Sequence, residues 1–383
     1  ARDVKFALDR LEICKTTLLN NIPDEKRDGS SMARACLTDL IFDTERSNRP
    51  NLTAVRQQQW LNQAEGSTLA SELQSMHASL FQWSQLLIQV VGSESDLAAV
   101  FDPWEVFMPV PGRRKGVKKS RAAESEAAPW ILSQHCRKEE VQASGEPVCH
   151  VVAVGGTDSC FLRSSIVGEV AWGSRQQAVS KAAAEYLTAL EGPLWKGIRG
   201  NGHAYGFNLM AEAEAGLVTF SLYRCLDVGA SWSIAADCIR KAGTAEQIDA
   251  LEFEGAISSL VYAILSKEES FSTMARSSFI DRLLHWEQES LTSSRQLLAH
   301  LSTVTRSEVA AYISGTLQRL FDVNGGGIMV IAAPPGKAEA VNEVMNPAGD
   351  VWTLAAFFEA EEVDDEDEDE SDASTSSSGS SPA

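Results

Sequence analysis

The sequence lacks the features that mark membrane, secreted or disulfide-bonded proteins. None of its apolar runs approaches the roughly 20 residues that a transmembrane helix needs. The N-terminal segment has no apolar stretch followed by a small-residue cleavage site, as a secretory signal would have. The seven cysteines form no Cys-x-x-Cys pair, which favours reduced intracellular thiols over a disulfide framework. We therefore expect a cytoplasmic protein, with a mitochondrial location as the alternative, and no membrane partner.

Positive charge is also scarce. The chain has 33 Lys and Arg against 53 Asp and Glu, a formal net charge of −20. Ten acidic residues and no basic ones lie between Glu361 and Asp372, so the rest of the chain still carries −10. A basic surface supplies most of the affinity for nucleic acid. We therefore expect no nucleic-acid partner.

Several common catalytic motifs are absent as well. The sequence has no GxSxG, and its six histidines form neither HExxH nor HxxEH, so no zinc site is expected within this chain. A glycine-rich stretch does contain Gly200-x-Gly202-x-x-x-Gly206. A dinucleotide site would need a strand before these glycines and a helix after them, whereas here a helix precedes and strands follow. Phosphate binding is therefore the less favoured interpretation of the stretch.

The patterns that are present divide the chain into four segments. Residues 1–108 repeat apolar residues at helical spacing and are predicted to be the mainly helical end of a preceding α+β domain. Residues 109–147 are predicted to be a linker, whose basic cluster is either a solvated loop or a nuclear-import signal. Residues 361–383, acidic and then serine-rich, are predicted to be disordered.

Residues 148–360 form the fourth segment, a predicted α+β domain. Its pattern reads strand, helix, two strands, several helices and a last strand, "GGIMVIAAPP". Thr305 and Glu308 have the spacing of a helix capping box. The fold class is therefore predicted as a two-layer domain with helices packed on one face of a mixed or antiparallel sheet, preceded by a mainly helical partial domain.

Three elements resemble the C-terminal half of the insulinase/pitrilysin/presequence-protease family of zinc metallopeptidases, most closely a cytosolic-type branch. They are Asp102-Pro103-Trp104, the segment Asp158–Leu162 (DSCFL) and the segment Glu191–Gly206 (EGPLWKGIRGNGHAYG), in that order. The third element is the specific one, and the likeness covers about residues 100–358.

The resemblance implies two halves, each of two similar α+β domains, which close around a peptide chamber. The family's HxxEH zinc motif lies in its first domain, whereas this chain matches the end of the third domain and all of the fourth. We therefore expect the C-terminal part of a longer polypeptide, inactive alone. Its partners would be the N-terminal half, which is expected to hold the zinc, and a peptide substrate.

The resemblance also assigns candidate site residues. Arg199 and Tyr205 match an arginine and a tyrosine that contact the substrate in the family, and Gly200, Gly202 and Gly206 would let the backbone approach an extended peptide. His203 departs from the family, which usually has an apolar residue there. Two alternatives remain: Arg199 and Tyr205 are only a structural pair, or the protein is a non-catalytic member of the same fold, like certain core subunits of a respiratory complex.

Overall fold

A computed structural model describes residues 6–80, 91–93, 136–139, 141, 148–168, 170–284, 293–322 and 325–359. The Asp-Pro-Trp element, most of the predicted linker and the acidic tail lie outside the described residues. The predicted fold class is confirmed: the chain is α+β, with one mixed sheet of six strands, packed helices and a helical N-terminal region. Within the described ranges, no helix is both long and apolar enough to cross a bilayer.

The N-terminal region consists of short and medium-length helices. They are α1 (Leu8–Arg27), α2 (Gly29–Ile41), α3 (Asn48–Asn51), α4 (Ala54–Gln63) and α5 (Gly66–Leu80). Asp28 has an extended backbone and accepts a hydrogen bond from the N–H of Ser30, so it caps the start of α2. Arg56 binds both carboxylate oxygens of Asp39, at 3.1 and 3.0 Å. Because Asp39 is only 1% exposed, this bidentate pair holds α4 against α2.

The sheet is built entirely from the region after residue 147. Its strands are β1 (Val148–Ala153), β2 (Cys160–Val167), β3 (Ala204–Glu212), β4 (Leu217–Cys225), β5 (Ile328–Ala333) and β6 (Val351–Thr353). Their order across the sheet is β3-β4-β2-β5-β1-β6. β1 runs parallel to β5 and β6, and the other pairs are antiparallel. β3 is therefore an edge strand, paired on one side only among the described strands.

Two of these strands were not predicted from the sequence. β2 carries Arg163, Ser164 and Ser165 in its middle, which interrupt the apolar pattern. β6 is only three residues long and follows β5, so "GGIMVIAAPP" is not the last strand as predicted.

Helices follow and separate the strands. They are α6 (Arg175–Thr188), α7 (Val228–Lys241), α8 (Ala250–Leu265), α9 (Phe271–Leu284), α10 (Ser293–Leu301), α11 (Arg306–Tyr312), α12 (Gln318–Leu320) and α13 (Pro335–Met345). The predicted capping box is confirmed, with Thr305 and Glu308 bonded reciprocally at the start of α11. Arg175 binds Glu308 at 2.6 Å and thereby joins α6 to α11. The hydrogen bonds from Arg175 lower the pKa of Glu308 to about 2.

Apolar side chains are buried on both faces of the sheet. On one face, Leu162 and Phe220 belong to a core shared with α6, α7 and the later helices. On the other, Phe161 and Val330 belong to a core that includes Met32 of α2. The N-terminal helices thus cover β2 and β5 on the face opposite the C-terminal helices, whereas Tyr223 of β4 on that face stays 41% exposed.

Candidate functional site

Arg199 lies at the end of a π-helical turn, Trp195–Arg199, that leads towards β3. The turn is anchored by Leu194 and Ile198, both fully buried. Gly197 allows the turn to lie close to α7, because a Cβ at this position would be 2.8 Å from Cγ2 of Ile234. Burial of Ile198 leaves its neighbour Arg199 on the exposed side of the turn.

Backbone hydrogen bonds fix the chain between Arg199 and β3. The N–H of Gly202 donates to the carbonyl of Arg199 at 3.0 Å, and the N–H of His203 donates to the carbonyl of Ile198 at 3.0 Å. Gly202 has a φ of +75°, in the left-handed region that favours glycine. The carbonyl of His203 accepts from the N–H of Leu226 at 3.1 Å, which ties the start of β3 to the end of β4.

The structure brings Arg199 and Tyr205 together. The guanidinium carbon of Arg199 lies 5.5 Å from the centre of the Tyr205 ring, within cation–π range. Tyr205 is the second residue of edge strand β3, and 65% of it is exposed. Its hydroxyl makes no hydrogen bond to any described residue. Both side chains are therefore accessible to a ligand.

Three further residues belong to this site and were missed by sequence reasoning. The ring of Tyr223 on β4 lies 6.2 Å from that of Tyr205, and Phe161 on β2 lies 5.3 Å from Tyr223. The guanidinium of Arg224 lies 5.8 Å from the Tyr223 ring. For Tyr223 and Arg224 the sequence signal was the β3–β4 hairpin, whose register places Tyr223 opposite Gly206, and for Phe161 it was the DSCFL segment.

The three candidate glycines differ in their surroundings. Gly202 requires its left-handed backbone, whereas Gly200 has an ordinary helical φ of −59°. A Cβ added at Gly206 would lie 3.7 Å from Cβ of Tyr223, an ordinary van der Waals contact. Gly200 and Gly202 are exposed and Gly206 is half-buried beside Tyr205, so all three line the same surface.

The chemistry of this site fits an extended peptide better than a metal ion. Among the described residues, no group of three or more His, Cys, Asp or Glu side chains could hold a metal. Guanidinium groups donate to peptide carbonyls, and phenol hydroxyls both donate and accept. Among the described residues, the outer edge of β3 pairs with no strand, so its backbone N–H and C=O groups can pair with a further strand. Arg199 and Tyr205 lie at one end of β3, and Tyr223 and Arg224 lie beside them on β4.

Comparison with known proteins finds distant relatives. No family profile matches the sequence. The uncharacterized protein YOL098C of Saccharomyces cerevisiae is 24% identical over 375 residues, covering 95% of this chain. The chain spans only 35% of that protein's length.

Solved structures of related shape cover most of the chain. A protease from Helicobacter pylori superposes with a TM-score of 0.60 at 13% identity, over 86% of this chain and 74% of that one. A putative M16-like peptidase from Alicyclobacillus acidocaldarius gives 0.56 at 10% identity, over 87% and 72%. An inactive M16 peptidase domain from Pseudomonas fluorescens gives 0.56 at 14% identity, over 86% and 71%. The chain therefore has an M16 peptidase-like fold, the fold of insulinase-family enzymes and of their inactive domains.

Proposed function

We propose that this chain is the substrate-binding, C-terminal part of a zinc metalloendopeptidase that cleaves unstructured peptides in a closed chamber. The observation that carries the proposal is the pairing of Arg199 with the exposed Tyr205 at the start of a free edge strand. The M16 peptidase-like fold and the greater length of the yeast relative support it. The zinc motif would lie in an N-terminal half of the same polypeptide.

Peptide binding follows from the edge of β3. An extended substrate can add to this edge as a further strand, so its backbone groups pair with those of β3. Arg199 holds a substrate carbonyl through two N–H groups, and the exposed Tyr223 ring provides apolar contact beside it. Folded proteins cannot offer a free extended segment, so the site selects unstructured peptides.

Tyr205 would act at the reacting carbonyl. When a peptide bond is hydrolysed, negative charge develops on the carbonyl oxygen, and a phenol O–H is a good donor to that oxygen. The chemistry that zinc supplies in such peptidases is Lewis-acid activation of water. Tyr205 then stabilises the transition state, whereas Arg199 holds the peptide before and during the reaction.

The test is steady-state kinetics of the full-length protein on a quenched fluorescent peptide. Tyr205→Phe keeps the ring and removes the donor, so we expect kcat to fall by about 10²–10³ with little change in KM. Arg199→Ala should mainly raise KM. Tyr262→Phe is the matched control, because Tyr262 is 74% exposed and lies on α8 rather than on β3 or on the turn before it.

The outcomes separate this proposal from its alternative. Unchanged kinetics in a well-folded Tyr205→Phe variant would show that the tyrosine only packs against its neighbours. Absence of any peptidase activity in the full-length protein, with zinc supplied, would favour a non-catalytic protein of this fold, as the inactive Pseudomonas domain illustrates. Circular dichroism of each variant controls for folding.

A further inference from the structure

A cleft of about 680 Å³ opens at the other end of β3, away from Arg199. Its walls are formed by α6, by Met210 to Glu214 at the end of β3 and the following turn, and by α8, α9 and α10. Apolar side chains make up much of the lining: Trp172, Met210, Ile264, Ile280 and Leu297. The cleft is large enough for one amino-acid side chain and its backbone groups.

Three cationic side chains also line this cleft. They are Lys181 of α6, Lys267 in the turn after α8 and Arg276 of α9. None of the three forms a hydrogen bond or an ion pair with any described residue. Lys181 is half-buried, and its burial, reinforced by the charge of Lys267, lowers its pKa. Cations that gather in a concave site, with no ion-pair partner among the described residues, favour an anionic ligand.

The acidic residues of the cleft are already paired. Glu212 and Glu214 line the strand side, and Arg49 binds them at 2.9 and 3.3 Å. Arg49 therefore compensates one of these two negative charges, and the three cations on the helix side outnumber the one that remains. Among the described residues, the helix side of the cleft therefore keeps a positive charge that a ligand can meet.

We propose that this cleft binds the C-terminal residue of a peptide that lies on β3, with its carboxylate on the cations and an apolar side chain against the lining. This rests on the proposed peptide-binding function. Five residues separate Tyr205 from Met210, about 17 Å of extended chain. A peptide whose reacting bond lies at Tyr205 would thus place its C-terminus in the cleft about five residues later, running parallel to β3.

The first test measures binding of one peptide with two different ends. A ten-residue unstructured peptide ending in leucine, fluorescently labelled at its N-terminus, is titrated with this chain as the free acid and as the C-terminal amide. We expect the acid to bind at least about tenfold more tightly, the strength of a charge-assisted hydrogen bond. The double variant Lys181→Met/Lys267→Met should bind both forms like the amide.

Controls separate the cleft from the rest of the peptide site. Lys241→Met removes an exposed lysine outside the cleft and should preserve the preference for the acid. Arg199→Ala should weaken the acid and the amide equally. N-acetyl-leucine is too short to lie along β3, so its binding, lost in Lys181→Met/Lys267→Met, reports on the cleft alone.

The possible results distinguish the cleft assignment from the proposed function. Equal binding of acid and amide by the wild-type chain, or a preference that survives Lys181→Met/Lys267→Met, overturns the cleft assignment and leaves peptide binding on β3 intact. Lysine-dependent binding of N-acetyl-leucine without any peptide binding supports the cleft and contradicts the proposed function. Failure of all ligands to bind contradicts both.

Discussion

At the residue scale, the sequence predicted Arg199 and Tyr205 of the candidate site but not their neighbours on β4. The two lie six positions apart in one segment, so their proximity could be anticipated from the sequence. Tyr223 and Arg224 could not, because they reach the site only through the β3–β4 register. That register depends on the length and geometry of the hairpin turn, which apolar periodicity does not report.

A second residue, His150, should make the stability of the protein depend on pH. Its ring lies 5.6 Å from Trp352 and 5.6 Å from Phe357, edge to face, and burial lowers its pKa. The unfolded chain therefore binds a proton more readily than the folded chain as pH falls below about 6.5. We expect His150 to contribute a loss of unfolding free energy between pH 7 and 5, at most about 1.4 kcal/mol per pH unit.

The measurement is urea unfolding of wild type and His150→Phe at several pH values. Phenylalanine keeps the ring contacts and does not titrate, so its curve should be flatter over this range. The remaining acid sensitivity, including that of Glu308 below pH 4.5, is common to both chains. Parallel curves would show that His150 is protonated equally in both states.

At the scale of secondary structure, the sequence predicted features whose interacting residues are close together in the chain. The capping box of Thr305 and Glu308 was correct because both partners lie within four residues. β2 was missed because polar residues occupy its centre, and at least one of them has a distant partner. The hydroxyl of Ser165, for example, lies 2.6 Å from that of Thr219 on β4. No local pattern reveals such a partner.

Replacing glycine by alanine should have opposite effects on the free energy of unfolding at two positions in helical elements. Gly197→Ala places a Cβ 2.8 Å from Ile234 and 3.1 Å from Cys238, and should destabilise the chain by about 1–3 kcal/mol. Gly255→Ala meets open space within α8 and should stabilise it by about 0.4–1 kcal/mol, since alanine restricts the unfolded chain.

Chemical denaturation of both variants gives these differences directly. Gly255→Ala serves as the control for the intrinsic benefit of alanine in a helix. If Gly197→Ala were as stable as the wild-type chain, the π-helical turn would have to move away from α7, and peptide binding at Arg199 would then change. Measuring both properties distinguishes a rigid turn from an adaptable one.

At the scale of the whole molecule, the sheet needs a cover on each face. The sequence predicted that residues 1–108 end a preceding domain, and that prediction stays untested. The described helices nevertheless share a core with the sheet, to which Met32 and Ile41 contribute together with Phe161, Val330 and Ala332. The N-terminal helices therefore contribute to the stability of the C-terminal region.

Removal of the N-terminal helices should prevent the rest of the chain from folding cooperatively. A chain that starts at residue 140 would expose the apolar face of β2 and β5. We expect it to bind a hydrophobic dye, to aggregate and to lose cooperative thermal unfolding. A soluble, cooperatively folded chain from residue 140 would contradict the shared core.

Removal of the acidic tail should have little effect. Without residues 364–383 the melting temperature should shift by less than about 2 °C, because that segment has no large apolar residue to bury.

The position of β1 has a consequence for synthesis. Both of its neighbours, β5 and β6, come later in the chain, and β5 begins about 180 residues after β1. At a ribosomal speed of about 5–20 residues per second, β1 waits roughly 10–40 s before its first partner exists. During that time Val151 and Val152, both fully buried in the native sheet, have no strand to join. The apolar β1 segment therefore stays without its native strand partners until residue 333 has left the ribosome.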